Sequence, residues 1–141
     1  MGGAHTRRSF METSCKGLAA AGMLGCAGIP VLTTQVRSGK IEVDLTGFPE
    51  LQTPGKGIMV RAEGAEEPII LVALGEGNVR ALSGVCTHLA CAIRLTGGTL
   101  TCPCHGSTFS LEGAVTRGPA PEDLHEFPTQ VSGQTVTITL D

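Results

Sequence analysis

Cys86-Thr87-His88-Leu89-Ala90-Cys91 and Cys102-Pro103-Cys104-His105-Gly106-Ser107 are the two stretches on which the reading of this chain turns. Each sets a thiol and an imidazole close together among loop-forming residues. Between them lies Thr96-Gly97-Gly98-Thr99, whose Gly-Gly pair predicts a tight hairpin turn that brings the two strings together. Several chemistries suit such a set. A structural zinc site also takes two Cys and two His, but its usual spacing pairs Cys with Cys and His with His, whereas here each pair mixes the two. A scaffold held by disulfides alone leaves His88 and His105 idle.

The two strings resemble those of the Rieske iron–sulfur family, in which two Cys bind one iron and two His bind the other. The resemblance covers most of residues 84–121 and, weakly, the strands outside. It implies one 2Fe-2S cluster per chain, with Cys86 and Cys102 on the inner iron and His88 and His105 on the outer. It also implies a Cys91–Cys104 disulfide tying the two loops together. In high-potential relatives a Ser hydroxyl after the second loop bonds a bridging sulfide, and a Tyr two residues later bonds a cysteine sulfur. Ser107 supplies the first here; Phe109, with no hydroxyl, stands in the second place. The potential is therefore expected below that of high-potential relatives. Leu89 matches an apolar tip that docks at a quinol site, beside the plainer reading of a packed loop residue. Gly118-Pro119-Ala120-Pro121 matches a proline loop covering the cluster. The chain departs from the family in two ways. The run from His88 to Cys102 is a few residues short, and Ala90 stands where Gly is usual, a strained choice if that position needs a positive φ.

Ligand charge gives the chemistry its direction. Two ferric ions, two sulfides and two thiolates sum to zero, so reduction makes a singly negative group. A four-thiolate cluster must go from doubly to triply negative, which is harder. The imidazoles can also titrate, coupling electron uptake to a proton.

Outside the strings, short apolar runs alternate with turn residues. Ile41, Val43 and Leu45 alternate with Glu42 and Asp44, a half-buried strand. Further strands are expected over 58–62, 68–74, 79–82, 108–111, 114–116, 127–131 and 135–140, with turns at Pro54-Gly55, Gly75-Glu76-Gly77-Asn78, Glu112-Gly113 and Ser132-Gly133. Ala114, Val115 and Phe127 read as core. His125 reads as solvated or locally bonded, and so does His5. The expected fold is all-β: a Rieske-type antiparallel β-sandwich with a small inserted cluster-binding subdomain, about 84–121, inside a domain over 40–141. With 20 Gly, 8 Pro and no Trp or Tyr in 141 residues, turns and short strands are favoured over a helical bundle.

The N-terminus reads as an address. Thr6-Arg7-Arg8-Ser9-Phe10-Met11 resembles a twin-arginine export string, and a charge-free apolar run follows from Gly17 to Leu32. Its glycines and Pro30 make a poor globular helix, and it is shorter than the ~20 residues of a comfortable membrane span. Residues 1–32 are thus expected to be a signal or signal-anchor, with 33–39 as a linker. No A-x-A site follows the run, so cleavage is not well marked. The family resemblance implies a retained anchor, as Rieske subunits of quinol-oxidising complexes often keep one, ahead of a cleaved signal, and Met23-Leu24-Gly25-Cys26 gives a weak third alternative, a lipoprotein box. Cys15 and Cys26 read as small apolar residues of this segment. Export would place the domain on the outer, periplasmic face of the cytoplasmic membrane.

From Thr33 onward there are seven Lys/Arg and twelve Asp/Glu, which excludes the basic footprint of a nucleic-acid binder. The resemblance implies one-electron transfer as the Rieske subunit of a quinol:cytochrome c-type oxidoreductase. The expected partners are quinol, a cytochrome b-type subunit and a c-type cytochrome acceptor. No residue is expected to be catalytic on its own. The competing functions are a free-standing exported Rieske protein, the small subunit of a molybdenum oxidase, and a non-redox metal-binding module. The chain is too short to carry an oxygenase's non-haem iron domain as well.

Overall fold

The computed structural model describes residues 28–141; the expectations for His5, the Arg7-Arg8 string, Cys15 and Cys26 lie outside the described residues. The run Ile69-Ile70-Leu71-Val72-Ala73 organises the rest. It forms β4 (Ile69–Gly75), and none of its five residues is more than 1% exposed. Successive side chains of a strand point to opposite faces, so an unbroken apolar run requires cover on both. Ile69 and Leu71 face one core, with Ile41, Val43, Ile58, Val60, Val136 and Ile138. Ile70 and Val72 face a second, with Leu82, Cys86, Ile93, Leu100, Cys102 and Phe109. Fully burying one such aliphatic side chain contributes about 1.5–3 kcal/mol.

Three sheets build these layers. The central sheet runs β1 (Val31–Gln35), β3 (Gly57–Glu63), β4, β5 (Asn78–Ser83), β10 (Glu126–Phe127). On one face lies the three-stranded sheet β11 (Thr129–Ser132), β12 (Thr135–Thr139), β2 (Lys40–Asp44). On the other lies the subdomain sheet β6 (Arg94–Thr96), β7 (Thr99–Thr101), β8 (Thr108–Phe109), β9 (Val115–Arg117). Two short 3-10 turns, Leu45–Gly47 and Pro49–Gln52, bury Leu45 and Leu51 in the first core. The all-β expectation stands, and the inserted unit occupies its own sheet.

Some local expectations need correction. The segment expected to be a linker, 33–39, starts inside a strand. Val31–Gln35 pairs with Met59–Glu63 in parallel, the one exception to an otherwise antiparallel ladder among the described residues. Its β-branched Val31, Thr33 and Thr34 suit an edge strand, while Leu32 and Val36 pack on the first core. The end of the apolar run, Val31 and Leu32, therefore belongs to the folded domain. The strand expected over 127–131 is two strands in different sheets: Phe127 pairs with Ala81 and Thr129 with Ile138. Pro128 has no N–H to carry one ladder through. Ala114 is exposed rather than core, Val115 is half-buried and Phe127 is buried.

The turn between the two Cys/His strings forms as the Gly-Gly pair requires. Gly97 and Gly98 have φ of 58° and 76° and join Thr96 to Thr99, the left-handed pair of a two-residue hairpin loop. At the foot of the subdomain Gly84 donates to Pro68 O at 2.7 Å. A Cβ there would lie 2.8 Å from that oxygen, so only glycine lets the insertion leave the central sheet so closely.

Candidate metal centre

The two strings fold as the same loop twice. In the first, Cys86 N donates to Cys91 O at 2.8 Å and Ala90 N donates to Cys86 O at 3.0 Å. In the second, Cys102 N donates to Ser107 O at 2.8 Å and Gly106 N donates to Cys102 O at 3.0 Å. Each loop thus starts at a cysteine, closes five residues later, and needs a left-handed residue at its fifth position. That residue is Gly106 in one (φ 80°) and Ala90 in the other (φ 58°). Ser38 and Glu76 share a positive φ, and both precede a glycine in a turn between strands. Ala90 alone among the described residues other than glycine has one in either of these two loops. An L-residue in that region costs roughly 1–2 kcal/mol.

The repeat places like groups together. The opening cysteines, Cys86 and Cys102, are free thiols, 3% and 1% exposed, packed in the second core. The imidazoles lie toward the surface: His88 is half-buried and His105 exposed. Their ring centroids are 4.9 Å apart with an interplanar angle of 86°. Cys91 and Cys104 are joined as a disulfide with a Cα–Cα distance of 6.4 Å, fastening one loop to the other. The four cysteines among the described residues are thus divided into a buried free pair and a bridged pair.

One buried atom tests whether a metal group fits. His88 Nδ1 is buried with no hydrogen-bond partner. An unpartnered buried polar atom costs about 1–3 kcal/mol and is seldom left so in a native structure. A metal ligand bond would satisfy it. With a second imidazole beside it and buried free thiols at Cys86 and Cys102 on the same two loops, the donor set is soft and mixed, as a Cys2His2-ligated iron–sulfur cluster requires. The sulfurs of Cys91, Cys102 and Cys104 also lie within 4.8 Å of one another. That trio is not a competing metal site, because two of its members are spent in the disulfide.

The surroundings are fixed by polar contacts from the next segment. Ser107 is fully buried, and its Oγ accepts from Ala120 N at 3.0 Å. Because the hydroxyl accepts there, its proton stays available to another acceptor. Thr87 Oγ1 donates to Glu122 O at 2.7 Å, and Asp123 Oδ1 accepts from Val115 N at 2.8 Å. Together these hold Gly118-Pro119-Ala120-Pro121, whose Gly118–Pro119 peptide is cis, against both loops. Phe109, on β8, is fully buried in the core that holds Cys86 and Cys102. Leu89 is 64% exposed, which removes the reading of a packed residue. Thr87, Asp123 and the twofold loop were not singled out in the sequence. The equal five-residue spacing from Cys86 to Cys91 and from Cys102 to Ser107 was the signal available for the repeat.

Away from the site, His125 Nε2 lies 3.1 Å from Asp141 Oδ2, and its ring packs edge-on against Phe127, the local bonding expected of it. Among the described residues no helix is long and apolar enough to cross a membrane.

Residues 47–128 match the family model of the Rieske [2Fe-2S] domain. The chain is 33% identical over 120 residues to the cytochrome b6-f complex iron-sulfur subunit of Synechococcus sp. (strain JA-3-3Ab), covering 79% of this chain and 70% of that protein. It is 38% identical over 86 residues to the chloroplastic subunit of the same description from Volvox carteri, covering 57% of this chain but 42% of that one. Among solved structures, the cyanobacterial plasma membrane Rieske protein of Synechocystis PCC 6803 superposes with a TM-score of 0.60 at 28% identity. The match covers 70% of this chain and 98% of that one.

Proposed function

The chain belongs to the Rieske [2Fe-2S] domain family, and from that premise we propose that it is the Rieske subunit of a quinol-oxidising, bc-type electron-transfer complex. In this reading Cys86, Cys102, His88 and His105 hold the cluster. The observation that carries it is the division of the donors: two thiols are buried in a core, and two imidazoles stand 4.9 Å apart toward solvent. When bound, a cluster so ligated supplies one-electron chemistry at roughly −150 to +300 mV.

The chain's own residues do the rest. Cys86 and Cys102 sit where water is excluded, and the disulfide and the 118–121 segment close the flanks. Exposed His105, or half-buried His88, accepts a hydrogen bond from the quinol hydroxyl and takes its proton. Leu89 offers apolar contact beside the imidazoles, where an isoprenoid quinol and an apolar pocket on a cytochrome b-type subunit would meet it. With the cluster bound, the electron would pass on to a c-type cytochrome.

The string Thr6–Met11 supports export by the twin-arginine route, which carries folded proteins and so suits a metal group inserted beforehand. The domain would then lie on the outer face of the cytoplasmic membrane, tethered by the segment before β1. The deciding experiment is metal and sulfide analysis with EPR of the dithionite-reduced protein. Two irons, two labile sulfides and an average g below two are expected, and Ala or Ser at Cys86, His88, Cys102 or His105 should abolish them. A colourless protein with stoichiometric zinc would overturn the reading.

A further inference from the structure

The sulfurs of Cys91, Cys102 and Cys104 share one small volume, all within 4.8 Å of one another. Two are already joined to each other, and the third, Cys102, is a free and buried thiol. Cys86, the other free thiol among the described residues, is outside this group. A thiol held against a disulfide is the starting arrangement of thiol–disulfide exchange, in which a thiolate attacks a disulfide sulfur and the far sulfur leaves. Within one folded chain the attacking group is already in place.

We propose that Cys102, when no metal group engages it, exchanges into the neighbouring disulfide and converts the Cys91–Cys104 bridge into a Cys91–Cys102 bridge. This rests on reading Cys102 as a cluster ligand. In the step, Cys102 Sγ bonds to Cys91 Sγ as the Cys91–Cys104 bond breaks. Cys104 leaves as a thiolate and takes back, through solvent, the proton that Cys102 gave up. One disulfide is consumed and one formed, so no oxidant or reductant is needed. Exposure sets the direction: Cys104 is exposed and Cys91 half-buried. Water therefore stabilises a departing Cys104 thiolate better than a departing Cys91 thiolate.

The exchange removes one of the two buried thiols, so the site can no longer accept a cluster. Occupancy and bridge pattern are then coupled. A cluster that engages Cys102 protects the Cys91–Cys104 bridge, and its loss in a compartment without thiol reductants sends the chain into a form that cannot be reloaded. Insertion before the bridge closes avoids this trap.

The test uses the full chain carrying its cluster, with iron and sulfide measured first. A sample without iron refutes the ligand reading itself and is thereby told apart from a failure of the exchange. One portion is denatured directly in excess N-ethylmaleimide. The other is stripped with a chelator in the absence of thiols, kept anaerobically at fixed neutral pH, and then treated the same way. Tryptic peptides 81–94 and 95–117 stay linked in either pattern, so fragmentation must assign the labelled cysteines. Within these two peptides, label is expected on Cys86 and Cys102 before stripping, and mainly on Cys86 and Cys104 afterwards. Reloading with iron and sulfide should then fail without a thiol reductant and recover with one. The Cys102→Ser chain, stripped or isolated without cluster, should keep its Cys91–Cys104 bridge. Label remaining on Cys102 after stripping overturns the proposal, and so does loss of the bridge in Cys102→Ser.

Discussion

Phe109→Tyr tests how this site sets its potential. Phe109 is fully buried in the same core as Cys86 and Cys102, and β8 holds it opposite Leu100 and Val115. A hydroxyl added to its ring has two possible fates, with opposite signatures. If it donates to a cysteine sulfur, it stabilises the negative reduced cluster over the neutral oxidised one. A hydrogen bond to a charged group contributes about 1.5–3 kcal/mol, on the order of 65–130 mV for a one-electron couple. If it finds no acceptor, a buried unpaired hydroxyl costs about 1–3 kcal/mol of stability and the potential stays where it was. Protein-film voltammetry at fixed pH, beside denaturant unfolding of the loaded protein, separates the two. We expect a rise in potential with little loss of stability. An unchanged potential in a variant whose structure shows the hydroxyl against the cysteine sulfur would refute the reasoning about charge.

Ser107→Ala should act in the other direction on both measurements. The potential falls because the hydrogen bond Ser107 would donate to the cluster is lost, and stability falls by about 1–3 kcal/mol because buried Ala120 N loses its acceptor. Ala90→Gly should raise the denaturation midpoint. Relief of roughly 1–2 kcal/mol of left-handed strain exceeds the ~0.4–1 kcal/mol that glycine's freer unfolded chain takes back, and a lower midpoint would count against the φ of 58°. Asp44 accepts from the Thr46 hydroxyl at 2.7 Å and from Thr46 N at 2.8 Å, and these bonds, the hydroxyl first, hold its carboxyl below the ordinary carboxylate range. A pKa lowered on folding gives stability that is present above the unfolded value and lost as pH falls through the folded one. Asp44→Ala should therefore lower the Tm at pH 7 and flatten its fall on acidification, and a parallel pair of Tm–pH curves would contradict this. Changing Arg7 and Arg8 together to Lys should leave the protein in the cytoplasm on fractionation, against the wild-type chain in the envelope.

The parts of the structure that were legible in the sequence are those governed by local chemistry. The Gly97-Gly98 turn could be read because few other pairs accept two consecutive positive φ values, and the Ile41/Val43 alternation because one covered face leaves a period of two. The β1 strand could not be read from residues 31–35 alone. A polar Thr-Thr-Gln tract is a linker or an edge strand according to whether a partner lies alongside, and that partner, β3, is 28 residues away. The split at Pro128 was visible as a proline, yet only the assembled sheets show that its two sides join different layers. Leu89 presented the same difficulty inverted, since its neighbours in sequence do not say whether anything covers it.

The twofold loop explains why the site sits where it does. Two segments with the same five-residue closure hang from the central sheet and from β7, and their opening cysteines both point into one core. The remaining positions are used differently. His88 and Cys91 follow their cysteine by two and five residues, whereas Cys104 and His105 follow theirs by two and three. The bridge therefore ties the last residue of the first loop to the middle of the second, and the offset that results leaves His88 and His105 side by side at the surface. A symmetric use of the two loops would have no such offset. The mixed Cys/His order in each string, which set these stretches apart from a zinc pattern, is the trace in sequence of that asymmetry.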